Sequence, residues 1–402
     1  MELTSDFPFW SVRNGLPASY PTLESDLKCE VAIVGGGITG ALVAFHLVEA
    51  GIHAVVLDKR DIGTGSTSGS TGLLQYEVDV PLRELIQRVG KKNANRSYQL
   101  CGKAVNKIGA LAGKLKIPCQ FEKRPSLFLA KSAAEIPGLR EELRLRRAIG
   151  IEVDFWSEAQ IKKHFPFSRP AALWSQNGGE VDPHALTHGL LAAGVRRGLE
   201  VYDRTTVAKF KSTGRGIQLQ TDNGFVVHAR RAVLAAGFES MPYPRGEAGT
   251  LKSTYALISE PVPDLSEWHR RSLIWESGSP YLYLRTTADH RVIVGGEDVD
   301  LVKPSARDAL IPKKTAVLLK KFARLFPDIK LEVAYSWAGT FGETKDGLAY
   351  IGMNRGLPHT YFALGYGGNG ITYSVIAAEI IRDDFLGRKD ADARIFRFGR
   401  KS

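Results

Sequence analysis

An α/β fold containing a parallel sheet is predicted by three observations. A buried-strand run ends in closely spaced glycines and passes directly into a helix; a second short strand ends in an acid; and a later group of alternating segments reads as an antiparallel sheet. At 402 residues the chain exceeds one ordinary core, so two domains or one large α/β unit are expected. Hydrophobic residues make up 44% and charged residues 24%, which excludes a disordered chain.

Residues 29 to 59 read CEVAIVGGGITGALVAFHLVEAGIHAVVLDK. Glu30 to Val34 is the first strand, and Ile38 to Ala50 carries helical periodicity that Gly51 ends. His53 to Leu57 is the second strand, and it delivers Asp58 and Lys59. Gly35, Gly37 and Gly40 fall in the G-x-G-x-x-G spacing, and each has a mechanical reason: a tight turn, close approach of a pyrophosphate, and close packing of helix on sheet. The helix start, at Ile38 and Thr39, supplies unpaired N–H groups and a partial positive charge for phosphates. Asp58 is placed to accept hydrogen bonds from a ribose. Strand, glycines, helix, second strand and acid in register predict a dinucleotide site, for FAD or NAD.

The stretch GTGSTSGSTG, residues 63 to 72, separates the two cofactors. A site for NAD alone would continue with a helix. Small residues with N–H and hydroxyl donors instead suit a loop that wraps a second side of a pyrophosphate and then passes a flat ring. Gly65, Ser66, Thr67, Ser68, Thr71 and Gly72, with Leu73 after them, are the expected contacts. Glu77 and Asp79 follow and read as a solvated turn, with attraction of a cationic amine as the alternative.

Further along, Asp182-Pro183 opens a helix that Gly198 closes, followed by strands at Leu199 to Tyr202 and near Val207. The strand Ala232 to Leu234 ends in Ala235-Ala236-Gly237. Gly365, Gly367, Gly368 and Gly370 precede a last helix, Ile371 to Asp383. STYALISEP, PYLYLRT and HRVIVGGED read as antiparallel strands.

With GGEVDPHALTHGLLAAGVRRGLEVYDRTTVAKF, RRAVLAAGFES, WAGTFGETKDGLAYIG and ALGYGGNGITYSVIAAEII added to the glycine motif, the chain resembles the D-amino-acid oxidase superfamily of FAD-dependent oxidoreductases, from about Cys29 to about Phe385. Glycine oxidase and sarcosine oxidase are among its members. The resemblance implies a Rossmann-like, glutathione-reductase-like FAD domain in three pieces, 25–88, 170–246 and 334–388. An α+β substrate domain with an antiparallel sheet would come from 89–169 and 247–333, with 1–24 as an N-terminal arm. It also implies that Val207 holds the adenine through its backbone, that Ala236 and Gly237 lie against the cofactor, and that Gly368, Asn369, Gly370 and Ile371 meet the pyrimidine edge of the flavin. Positions that tether flavin in some relatives are Thr67 or Ser68 and Gly339 here, so the FAD is expected to be non-covalent.

In such proteins flavin carries the hydride chemistry, and the protein positions a C–H bond beside an amine and tunes charge around the ring. Tyr281 matches a family tyrosine that covers the substrate; Tyr255 and Gln75 are further candidates to face the ring. The basic anchors that relatives use for a substrate carboxylate are replaced by Phe341, Gly368, Thr372, Gly72 and Gln75. A carboxylate buried without a charged partner costs several kcal/mol, so an amine lacking a free carboxylate, or one anchored at a distance, is the expected substrate. Ile293 stands where sarcosine oxidase has an oxygen-activating Lys, so a quinone or carrier competes with oxygen as acceptor.

Net charge is +11, and the segment from Pro81 to Gly150 accounts for it, with sixteen Lys or Arg against five Asp or Glu. A solvated helical face is one use; contact with an anionic surface is another, and nucleic acid has no firm support. Alternative functions are therefore a peripheral dehydrogenase of a hydroxy acid or polyol phosphate that feeds quinone, or a flavoprotein acting on modified tRNA. Cys29, Cys101 and Cys119 form neither a disulfide framework nor a metal motif. The expected location is cytoplasmic, with the inner membrane face as the peripheral variant.

Overall fold

A computed structural model describes residues 3–5, 8–244, 249–278 and 281–400. Strand Leu27–Val34 runs into Gly35, helix Ile38–Glu49 starts from a Gly37 cap, and strand Ala54–Leu57 returns beside the first. Side chains alternate across this sheet as a strand demands. Val31, Ile33, Ala54 and Val56 join the core beneath helices Ile38–Glu49, Pro183–Val195 and Gly370–Phe385, while Ala32, Val55 and Leu57 pack on the opposite face with Ile217 and Leu219.

Five strands are parallel, in the order Thr360–Leu364, Val226–Leu234, Leu27–Val34, Ala54–Leu57, Glu200–Tyr202. Tyr350–Met353 adds an antiparallel edge, and the hairpin Val207–Ser212 with Ile217–Thr221 extends Val226–Leu234 antiparallel. The helix after Asp182 forms because Pro183 occupies its first turn and the Asp182 carboxylate accepts from the His184 and Ala185 amides, at 3.0 and 2.9 Å.

A second, mostly antiparallel sheet of nine strands contains Thr250–Ser259, Leu282–Thr286 and Val292–Val299. Three strands assigned from sequence to the cofactor domain pair in this second sheet instead: Leu73–Leu74, Ala171–Glu180 and Val333–Glu343. Leu73–Leu74 pairs with Ala171–Glu180, which also pairs with Glu122–Leu129 and Val153–Ser157, and Val333–Glu343 pairs with Thr250–Ser259. Residues 245–248, at the junction of two expected segments, lie outside the described residues.

Residues 3–5 differ from a free arm. Thr4 bridges Gly339 antiparallel, the Ser5 amide donates to the Ala338 carbonyl, and Thr340 donates to Leu3, so the chain start lies along the strand Val333–Glu343.

The basic segment forms helices Leu82–Val89, Lys91–Leu115 and Ile136–Ala148. Part of its charge is matched internally: Arg96 with Asp392 at 2.6 Å, Lys114 with Glu49 at 2.7 Å, Lys107 with Glu379, and Arg146 with Glu77 and Glu142. Among the described residues, no helix is long and apolar enough to cross a membrane.

Candidate active site

Where the two sheets meet, a continuous cavity of about 1070 Å³ opens, at the upper end of the roughly 300–1,000 Å³ usual for small-molecule sites. Its first stretch is built by the glycine turn. Gly35 has φ +108°, and a Cβ there would lie 2.7 Å from the Ala235 carbonyl oxygen. Only glycine lets the first strand turn under the Ala235-Ala236 backbone. Asp58 closes this end: its carboxylate accepts from the Gly36 amide at 2.6 Å and the Arg60 amide at 2.8 Å. Burial raises its pKa against those two donors. Lys59 pairs with Glu239 at 2.6 Å beside it.

The loop of small residues forms the cavity's flank. Ser66–Gly69 makes a single helical turn, and the Thr67 hydroxyl accepts from the Ile38 amide at 2.9 Å. Three successive carbonyls are then held by long side chains from separate elements. Trp337 Nε1 donates to Gly69 at 2.9 Å, Trp10 Nε1 to Ser70 at 2.7 Å, and Arg285 Nε to Thr71 at 2.6 Å. The loop is therefore a fixed wall rather than a linker. Replacing Trp337 by Phe leaves the Gly69 carbonyl without its donor, an expected loss of about 1–3 kcal/mol. Faster proteolysis within residues 63–72 and faster FAD release would register it; unchanged rates of both would rule out the anchoring role.

All the expected cofactor residues except Gly40, Ser68 and Gly72 line this one cavity. Gly40 packs helix against strand, as its place in the glycine spacing requires, while Ser68 and Gly72 are taken up by internal contacts rather than facing the cavity. A Cβ at Gly40 would sit 1.8 Å from the Gly35 carbonyl oxygen, and one at Gly72 would sit 2.2 Å from that of Val181. Ser68 is buried, and its hydroxyl donates to the Gly65 carbonyl at 2.8 Å.

Of the substrate candidates, Tyr281 and Gln75 line the cavity and Tyr255 does not. Tyr255 points into the core of the second sheet and donates its hydroxyl to the Arg307 carbonyl at 3.2 Å. Alternation along Thr250–Ser259 instead turns Lys252 and Thr254 toward the cavity. The same alternation puts Tyr283 beside Tyr281, a residue the pattern of PYLYLRT could have flagged.

Of the two acids expected in a solvated turn, Glu77 is buried, whereas Asp79 is exposed and faces the cavity. Glu77 is 3% exposed and meets the buried Arg146 at 3.2 Å. Asp79 lines the cavity, where its carboxylate accepts from the Gly368 amide at 2.6 Å. A side chain at Gly368 would run into that carboxylate, with its Cβ 2.8 Å from Asp79 Oδ1. Asp298 and Glu343 line the same end, and Lys252 pairs with Glu343 at 2.9 Å. Ile293, expected to lack any oxygen-activating role, is fully buried in a cluster with Phe9, Trp10 and Trp337.

Residues 30–383 match the family model described as DAO, FAD dependent oxidoreductase. The chain is 29% identical to gamma-glutamylputrescine oxidoreductase of Escherichia coli strain K12, over 93% of this chain and 87% of that one. It is 24% identical to glycine oxidase of Geobacillus kaustophilus, over 89% and 92%. A crystal structure of glycine oxidase from G. kaustophilus superposes with a TM-score of 0.76 at 22% identity, covering 91% of this chain and 96% of that one.

Proposed function

The chain belongs to the family of FAD-dependent oxidoreductases, and from that premise we propose that it oxidises a primary or secondary amine at the carbon next to nitrogen, giving an imine. FAD supplies the hydride-accepting ring. The chain's own fit to the cofactor is supported by the glycine cradle at Gly35 and Gly37, by Asp58 at the ribose end, and by the hydroxyls and amides of residues 65–71. Non-covalent binding is part of the same reading, since none of the three cysteines lines the cavity.

The observation that carries the amine reading is the charge of the far end of the cavity. Asp79, Asp298 and Glu343 stand there with Tyr281, Tyr283 and Phe341, and the Lys252 among them is already paired with Glu343. Such a wall repels a carboxylate and attracts an ammonium group. The aromatic side chains exclude water and offer π faces to a cation. The acceptor is oxygen or a quinone-type carrier.

Anaerobic mixing with a panel of amines, N-methyl amino acids and hydroxy acids tests this reading. Amines without a free carboxylate are expected to bleach the flavin absorbance, and simple α-amino acids to do so poorly. Bleaching by hydroxy acids alone would overturn it. Admission of air then separates oxidase from dehydrogenase by the speed of recolouring.

A further inference from the structure

Resting on the amine reading above, we propose that Asp79 receives the substrate's ammonium group and removes its proton before the hydride leaves. An ammonium nitrogen has no lone pair, and without one the adjacent carbon cannot release hydride to form C=N. An amine oxidoreductase working near neutral pH therefore gains from a base at the place where the nitrogen docks.

Geometry singles out Asp79. Its carboxylate rests on the turn before helix Gly370–Phe385, held by the Gly368 amide at 2.6 Å. A Cβ at Gly367 would come within 2.0 Å of Asp79 Oδ2, so both glycines are needed for the carboxylate to lie where it does. Among the described residues, no Lys or Arg forms an ion pair with Asp79 or with Asp298, and Asp298 Oδ1 is buried with no hydrogen-bond partner. Two carboxylates at one end of a cavity, neither matched by a cation of the protein, call for a cationic occupant. Glu77, by contrast, is already committed to Arg146.

The groups facing Asp79 come from every side: Glu343 and Lys252 on the antiparallel sheet, Asp298 near the end of strand Val292–Val299, Tyr281 and Tyr283, and Tyr373 and Cys101 from the helices behind. Although Asp79 is exposed toward the cavity, desolvation by the surrounding chain first, then the charges of Glu343 and Asp298, outweigh the Gly368 amide and Lys252 and push the carboxyl up to about 6. Asp79 is thus ionised at neutral pH and more basic than an ordinary aspartate.

In the step itself an N–H bond of the ammonium breaks and its proton passes to a carboxylate oxygen of Asp79, leaving the electron pair on nitrogen. Bound FAD would supply the acceptor for the hydride and its two electrons, and the freed nitrogen pair would close the C=N bond as the hydride leaves the adjacent carbon. Water hydrolyses the resulting iminium, and Asp79 returns its proton to solvent.

The test uses the FAD-loaded enzyme and D79N and D79E variants. The first measurement is binding of tert-butylamine, an ammonium probe with no hydrogen on the carbon beside nitrogen, read as a flavin absorbance shift. D79N is expected to weaken it about tenfold or more, the loss of one charge-assisted contact, with D79E retaining part of the affinity. The second is the rate of anaerobic bleaching by an amine against pH. In the wild type that rate should rise through pH about 6, because the ionised carboxylate is the working form. D79N should lose this limb, fall by about 10²–10⁴-fold at neutral pH, and recover only as the free amine deprotonates in alkali. A wild-type rate that is flat between pH 5 and 8 overturns the proposal even if no variant folds. So does a D79N protein that keeps its flavin, binds the probe as tightly and shows the wild-type pH profile. If no amine bleaches the wild type, the amine reading itself fails, a result distinct from these two.

Discussion

Arg146→Ala is expected to cost about 3–5 kcal/mol of stability, a large share of the roughly 5–15 kcal/mol that holds a typical domain folded. The guanidinium is fully buried, with Glu142 at 2.9 Å and Glu77 at 3.2 Å, and both carboxylate side chains are buried as well. Its Nη1 also donates to the Tyr76 hydroxyl at 3.1 Å, and the rings of Tyr76, Tyr98 and Phe128 surround it. Truncation leaves two buried negative charges without their cation and adds a void.

The damage would not stay local. Glu142 accepts from the first amides of helix Leu82–Val89, at Leu82 and Arg83, and the Glu77 carbonyl accepts from Asn369 at 2.6 Å, directly before helix Gly370–Phe385. Arg146 therefore supports the wall that carries Asp79. Urea unfolding should show the lower midpoint. The triple variant R146M, E77Q, E142Q, which removes all three charges, should recover most of the loss. A single-variant cost below about 1 kcal/mol, the usual scale of an exposed ion pair, would show that the network is dispensable.

The second large effect is expected at Gly40, which touches no part of the cavity. In Gly40→Leu the new Cβ would overlap the Gly35 carbonyl, 1.8 Å away, so helix Ile38–Glu49 must retreat from its strand. Its leading amides would move out of reach of the pyrophosphate. Charge-assisted hydrogen bonds contribute about 1.5–3 kcal/mol each, and about 1.4 kcal/mol is tenfold in affinity. Losing two predicts FAD binding weakened by 100-fold or more and a colourless purified protein. Gly113→Ala is the control, because nothing lies within 4 Å of its Cβ and alanine favours a helix interior. It should keep its flavin. Equal flavin content in the two variants would contradict the packing role of Gly40.

Much of the cofactor end was legible because its determinants are local. A strand, three spaced glycines, a helix and a terminal acid all fall between Glu30 and Asp58, and backbone geometry alone dictates their arrangement. The hydroxyl-rich loop was also legible in composition. Its three anchors were not, since Trp10, Arg285 and Trp337 approach from positions far apart in the chain.

At the substrate end the reading was less complete. Tyr281 and Tyr283 both line the cavity, but Tyr255 faces the core, because the phase of Thr250–Ser259 against its neighbours decides which face turns inward. Glu77 looked like part of an exposed acidic turn because nothing nearby in the sequence announces Arg146, and nothing there places Asp79 against the glycines at 367 and 368. What the sequence determined by itself is the nucleotide-binding framework and the family, since short-range spacing encodes both. Tertiary structure alone decided which charges are matched and which are left to face the cavity, because the energy of a buried charge depends on partners that only folding brings within a few ångströms.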